Sequence, residues 1–200
     1  ALLDLDACAR EAERARASGL AVYGGAWASL FTGARNLMGE ETFLLMAVSE
    51  PSVVAALVNR LCDFYLEINR ACFDRCAKQL DVYYFGSDFG TQDSLFISRD
   101  MFARFFKPNL ARLAAQAKGC GLKVMYHSCG AVADLVPDLI DCGIDALDPV
   151  QVSAAGMAPS ILASRFKGRI AFHGGISSQK TLPAGSADDV RLGEQRPVVE

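Results

Sequence analysis

No stretch of this sequence approaches the ~20 consecutive apolar residues needed to cross a bilayer as a helix, which excludes a spanning segment of that kind. Positive charge is scarce. Twenty Lys and Arg against 23 Asp and Glu leave a formal charge of −3, which argues against a nucleic-acid footprint or an anionic membrane surface as partner. The first twenty residues are charged and alanine-rich, unlike a secretory signal. There is no dense, even set of cysteines. The seven present (Cys8, Cys62, Cys72, Cys76, Cys120, Cys129, Cys142) are odd in number and scattered, as in a reducing, cytoplasmic compartment where most thiols are small buried apolar groups. Cys72 and Cys76, four apart on an expected helix, are accounted for by packing. Gly24-Gly25 and Gly174-Gly175 are too sparse for a phosphate-binding fingerprint, and no Gly-x-Ser-x-Gly elbow occurs. Repeats, linkers and low-complexity segments are also lacking, so the 200 residues suit one domain. The chain lacks an initiating methionine and closes on RLGEQRPVVE, which has neither helical nor strand periodicity; the expectation is an incomplete chain.

What is there is an alternation. Residues 5–18 are helical in composition and stop at Gly19. Leu20–Tyr23 reads as a short strand, and residues 29–47 as one or two short helices. Ser49 and Pro51 open a helix whose apolar positions recur from Val54 to Cys72, running to about Lys78. Asp81–Gly86 reads as a buried strand. Ser98 caps a helix that Pro108 divides and Gly119 and Gly121 end. Val124–Tyr126 is a strand. Asp134 opens a short helix with Pro137 in its first turn, stopped by Gly143. Ile144–Leu147, a helix from Pro159 to about Phe166, and the strand Ile170–Phe172 follow, and Ser186–Arg191 reads as one uncompleted helical turn. Strand and helix thus alternate about five times, which implies parallel βαβ units in an α/β sheet buried on both faces.

The polar residues fall just past the strand ends: Gly24-Gly25, Asp88, His127 with Cys129, Asp148 with Gln151, and His173. Both histidines of the chain are among them. In a parallel barrel or open α/β sheet those ends share the face on which active sites are built. His127 and Cys129 lie two apart in extended chain, so their side chains reach one point, as half of a zinc site does. Singly, each residue has an ordinary explanation: Asp148-Pro149 is a common turn pair, Asp88 suits a loop cap, and a His-x-Cys pair arises by chance.

Three blocks carry a resemblance: GSDFGTQDSLFISRDMFARFFKPNLARL, KVMYHSCGAVADLVPDLIDCGIDALDPVQ and RIAFHGGISSQKTLP. Together they resemble the uroporphyrinogen decarboxylase (URO-D) superfamily over about residues 20–190. The likeness is to its methyltransferase-like branch, which includes the methylcobamide:coenzyme M methyltransferases. It implies a (β/α)8 TIM-type barrel, incomplete here at about five central βα units, with residues 1–200 one barrel domain truncated at both ends. It further implies Zn2+ on His127 and Cys129, with a third cysteine ligand beyond residue 200. Asp88 and Asp148 are implied as catalytic groups, and Trp27, Gln151 and His173 as substrate contacts. A small-molecule thiol would accept methyl from methylcobamide on a corrinoid partner protein. The alternative within the superfamily is decarboxylation of a tetrapyrrole, with Asp88 facing the pyrroles and cations holding the propionates. Arg35 and Lys180 are the basic residues expected near the strand ends. The decarboxylases carry a tyrosine in the stretch aligned with Trp27–Gly33, which has none here, and related chains have Gly-Asp-Asp at Gly86-Ser87-Asp88. A third alternative is a non-catalytic fragment.

Overall fold

The computed structural model describes residues 4–194. Helix α1 (Leu5–Ala17) starts on Asp4, whose carboxylate accepts from the Ala7 amide at 2.9 Å. There follow β1 (Tyr23–Gly24), α2 (Leu30–Met38), α3 (Glu40–Ser49) and the long α4 (Pro51–Cys76). Then come β2 (Val82–Gly86), α5 (Arg99–Phe105), α6 (Lys107–Gly119), β3 (Lys123–His127), α7 (Val136–Asp141), β4 (Ala146–Val150), α8 (Pro159–Phe166) and β5 (Ala171–Gly174). Two further helices close the described chain, α9 (Thr181–Ala184) and α10 (Ala187–Glu194).

All five strands are parallel and lie in sequence order, β1-β2-β3-β4-β5. A doubly wound sheet would reverse its order at a switch point; a sequential parallel order is an arc of a (β/α) barrel. Burial follows from that. On β2, Tyr83 and Phe85 are fully buried under the helical layer, while Val82 and Tyr84 face the concave side. On β3, Val124 and Tyr126 face the helices, and Met125 and His127 the concave side. The register stacks the concave residues in layers: Tyr84, Met125 and Ala146 share one, and Gly86, His127 and Asp148 the next, toward the C-terminal ends. At the opposite ends, Asp81 and Asp145 are consumed by scaffolding. Their carboxylates accept from the amides of Val22 and Val124 at 2.8 and 2.9 Å.

Several boundaries differ from the sequence reading. β1 is two residues, Tyr23–Gly24, rather than Leu20–Tyr23. Ser49 closes α3 with its hydroxyl on the Leu45 carbonyl, and α4 starts after Glu50. Asp134 does not cap α7; it pairs with Arg165 at 3.0 Å. The break between α5 and α6 falls at Phe106, which places Pro108 in the first turn of α6, where its missing N–H costs nothing. Ser98 caps α5 as expected, accepting from Met101 at 3.2 Å. Residues 187–194 complete a helix rather than a single turn, and 195–200 of the closing stretch lie outside the described residues.

Candidate functional site

Two strand positions expected beyond the sheet lie inside it. Asp148 is the third residue of β4 and His173 the third of β5, so both project from the concave face instead of from loops. Read from sequence, each strand ends at its last apolar residue, Leu147 or Phe172, whereas the strand runs on through the polar residue that follows. His127 is the last residue of β3, and Cys129 and Asp88 are two residues past their strands.

His127 is the hub. Its Nδ1 lies 3.1 Å from Oδ2 of Asp148 and 2.9 Å from the Tyr84 hydroxyl. Its Nε2 lies 3.2 Å from Oδ1 of Asp88 and 3.5 Å from Sγ of Cys129. Asp148 receives three donors, since Tyr84 and His173 approach it at 2.5 Å each besides His127. Burial pushes its carboxyl upward in pKa, but hydrogen bonds from Tyr84, His173 and His127 outweigh burial and hold it below the usual range. Asp88 is lowered to about 2, chiefly by the hydrogen bond from His127 and against partial burial. His127 is raised to about 10 by its hydrogen bonds to Asp88 and then Cys129, which outweigh desolvation. Nε2 thus faces an oxygen and a sulfur at once.

The intervening residues secure this arrangement. Ser87 turns away from the site. Its buried hydroxyl accepts from the amides of Phe31 and Thr32 at 3.2 and 3.4 Å and so caps α2 from just past the end of β2. Ser128 likewise points inward and accepts from the Phe89 amide at 2.9 Å. Phe89 stacks on Phe31, with ring centroids 4.7 Å apart, and anchors the loop that carries Asp88. Asp88 then reaches across to accept from the Cys129 amide at 2.8 Å. Only glycine fits at two crossings. A Cβ at Gly86 would lie 2.1 Å from the His127 carbonyl oxygen, and one at Gly130, already at φ +85°, 2.5 Å from Gly90.

Trp27 stands over the site, 5.0 Å from the Tyr84 ring and 5.6 Å from His127 by centroids, and about half exposed. Two fully buried side chains clamp the residue before it. Asn69 accepts from the Ala26 amide at 2.7 Å, and Tyr83 donates to the Ala26 carbonyl at 3.1 Å. Gln151 accepts from the Gly130 amide at 2.9 Å, so it supports the loop after β3. Arg35 is spent elsewhere: it pairs with Glu40 and lies over the rings of Phe31 and Phe96. The sequence does not single out Tyr84 as a site residue. The pair Tyr83-Tyr84 obliges one ring to face each side of the sheet, but not which.

Asp88, His127 and Cys129 offer one oxygen, one nitrogen and one sulfur, all within 4.8 Å of one another. Such a donor set suits zinc. The residues fit, because the nitrogen of His127 that would not face a metal is already held by a carboxylate, the usual outer partner of a metal-bound imidazole.

A parallel (β/α) arc with a mixed-donor cluster at its C-terminal strand ends defines the class: an enzyme-type barrel fold. The chain belongs to the uroporphyrinogen decarboxylase (URO-D) family, whose profile matches residues 5–193. Among solved structures it is similar to a methyltransferase from Methanosarcina mazei. The TM-score is 0.65 at 19% identity, over 87% of this chain and 48% of that one. The chain therefore spans about half the length of that structure, and the likeness bears on the fold alone. None of the curated proteins compared matches the chain.

Proposed function

We propose that this chain carries the metal-binding portion of a zinc-dependent corrinoid:thiol methyltransferase. The observation that carries this reading is the convergence of Asp88, His127 and Cys129 within 4.8 Å, with His127 oriented from behind by Asp148. Zinc so held would supply a Lewis acid that deprotonates a coordinated thiol. Methylcobamide, as co-substrate, would supply the methyl group to the thiol sulfur, the thiol proton passing to solvent and the bonding pair staying with the corrinoid. Asp148, fixed by Tyr84 and His173, holds the His127 imidazole in one orientation. Asp88 doubles as a ligand and as the acceptor that positions the Cys129 backbone. Trp27 and Tyr84 form an aromatic wall that excludes water from one side and suits contact with substrate or cofactor. A corrinoid protein would present methylcobamide over the strand ends.

The donor set supports this over tetrapyrrole decarboxylation. Arg35, named as a cation for propionates, is engaged by Glu40, and Asp88 is engaged by His127 rather than free to gather pyrrole N–H groups. The test is incubation with methylcobalamin and a panel of small thiols, with the methyl thioether followed by mass spectrometry. Thioether formation that is lost in His127→Ala and Cys129→Ser supports the reading. No thioether, together with carboxyl loss from uroporphyrinogen, would replace it with the decarboxylase.

A further inference from the structure

The concave site leaves a second set of sulfurs unused. Cys72 and Cys76, on successive turns of α4, bring their Sγ atoms to 3.6 Å without a disulfide. Packing explains why Cys76 is buried and Cys72 partly so; it does not explain what lies in front of them. Both line a cavity of about 570 Å³ between α1, α4 and β1, whose walls include Ala12, Ala15, Val22, Ile68 and Leu80. Cys8, an exposed thiol on α1, borders the same cavity. Two sulfurs at this separation match the bite of a single soft centre that binds both at once, and the apolar walls suit a carbon substituent on that centre.

We propose that Cys72 and Cys76 form a two-thiol binding site for a soft, thiophilic electrophile with an apolar substituent, of the trivalent organoarsenical type. Capture is a condensation without redox change. Two As–O bonds break and two As–S bonds form, and each thiol proton leaves with a hydroxyl as water. The protonated state of the thiols is therefore no obstacle. Burial, and then the hydrogen bond with Cys76, push the Cys72 thiol up to about 12. That suppresses monofunctional alkylating agents, which need a thiolate, and leaves a reagent that brings its own hydroxyls. Chelation by a second sulfur already in place then makes the adduct resist single thiols.

The probe is phenylarsine oxide, added in equimolar amount to the purified protein and read by intact-protein mass spectrometry. The expected result is a single adduct that survives excess mercaptoethanol, is removed by a dithiol, and forms equally in Cys129→Ser. Trypsin cuts after Arg70, Arg75 and Lys78, so Cys72 and Cys76 fall on separate peptides, ACFDR and CAK. Arsenic bridging the two sulfurs joins them into one species, a signature readable in the unmutated protein even if Cys72→Ser does not fold. Absence of an adduct, an adduct that mercaptoethanol removes, or arsenic mapped to other cysteines would each overturn the proposal.

Discussion

At the scale of single residues, the site turns on one imidazole with a carboxylate on each nitrogen. The two acids differ in kind. Asp148 is nearly buried and saturated by three donors, so its task is orientation; Asp88 is half exposed, and its oxygen points into the cluster. Replacing Asp148 by Asn keeps the shape but leaves the Nδ1 side without a charged acceptor. We expect zinc affinity to fall about 10- to 100-fold, the usual cost of losing an outer-shell carboxylate, as measured by competition with a chromophoric chelator. Unchanged affinity would show that orientation from behind contributes nothing. The convergence of His127 and Cys129 was legible in sequence because extended backbone sends i and i+2 to one side. Asp88 was expected on the same face of strand ends; its direct contact with His127 was not legible, since it depends on Phe89 anchoring a loop about forty residues away in the chain.

At the scale of elements, the loops that carry site residues are held by buried polar ties. Trp27 is the single tryptophan of the chain, and its approach to the site depends on the Asn69–Ala26 bond from the middle of α4. Asn69→Ala leaves the Ala26 amide without its partner. The expected loss is about 1–3 kcal/mol, with a shift in the emission of the lone indole that a purely global destabilisation would not produce in the folded state. The helical layer has its own ionic tie. Asp138 at the start of α7 is nearly buried and pairs with Arg99 at 2.7 Å and Lys107 at 2.8 Å, joining α5 and α6 to α7. Burial pushes its carboxyl up, but the hydrogen bonds from Lys107 and Arg99 prevail and hold it below the usual range. A carboxyl lowered on folding stabilises above its unfolded pKa of ~3.9 and loses that contribution as pH falls through the folded value. Asp138→Asn should therefore cost about 1–3 kcal/mol at pH 7. In urea titrations the gap from wild type should close in acid below roughly pH 4; a gap independent of pH would assign the loss to packing. Neither tie was visible beforehand. Asn69 sits at an ordinary helical position, and Asp138 follows a proline in what reads as a first turn.

At the scale of the whole molecule, the alternation of apolar strands with helices announced a parallel sheet, and the sequential strand order is its consequence. The strand ends were less legible. Asp148 and His173 read as loop residues because each is the polar residue directly after an apolar run, and the structure draws both into the strands and onto the concave surface. That shift is what gathers His127, Asp148, His173 and Tyr84 into one network rather than a ring of separate loop residues. On the proposed reading, this network prepares a metal centre at its outer edge. Zinc content of the purified protein, wild type against Cys129→Ser, tests it most directly. Close to one equivalent of zinc per chain is expected in the wild type and a small fraction of that in the variant, with both folded by circular dichroism. Equal zinc in the two proteins would contradict it.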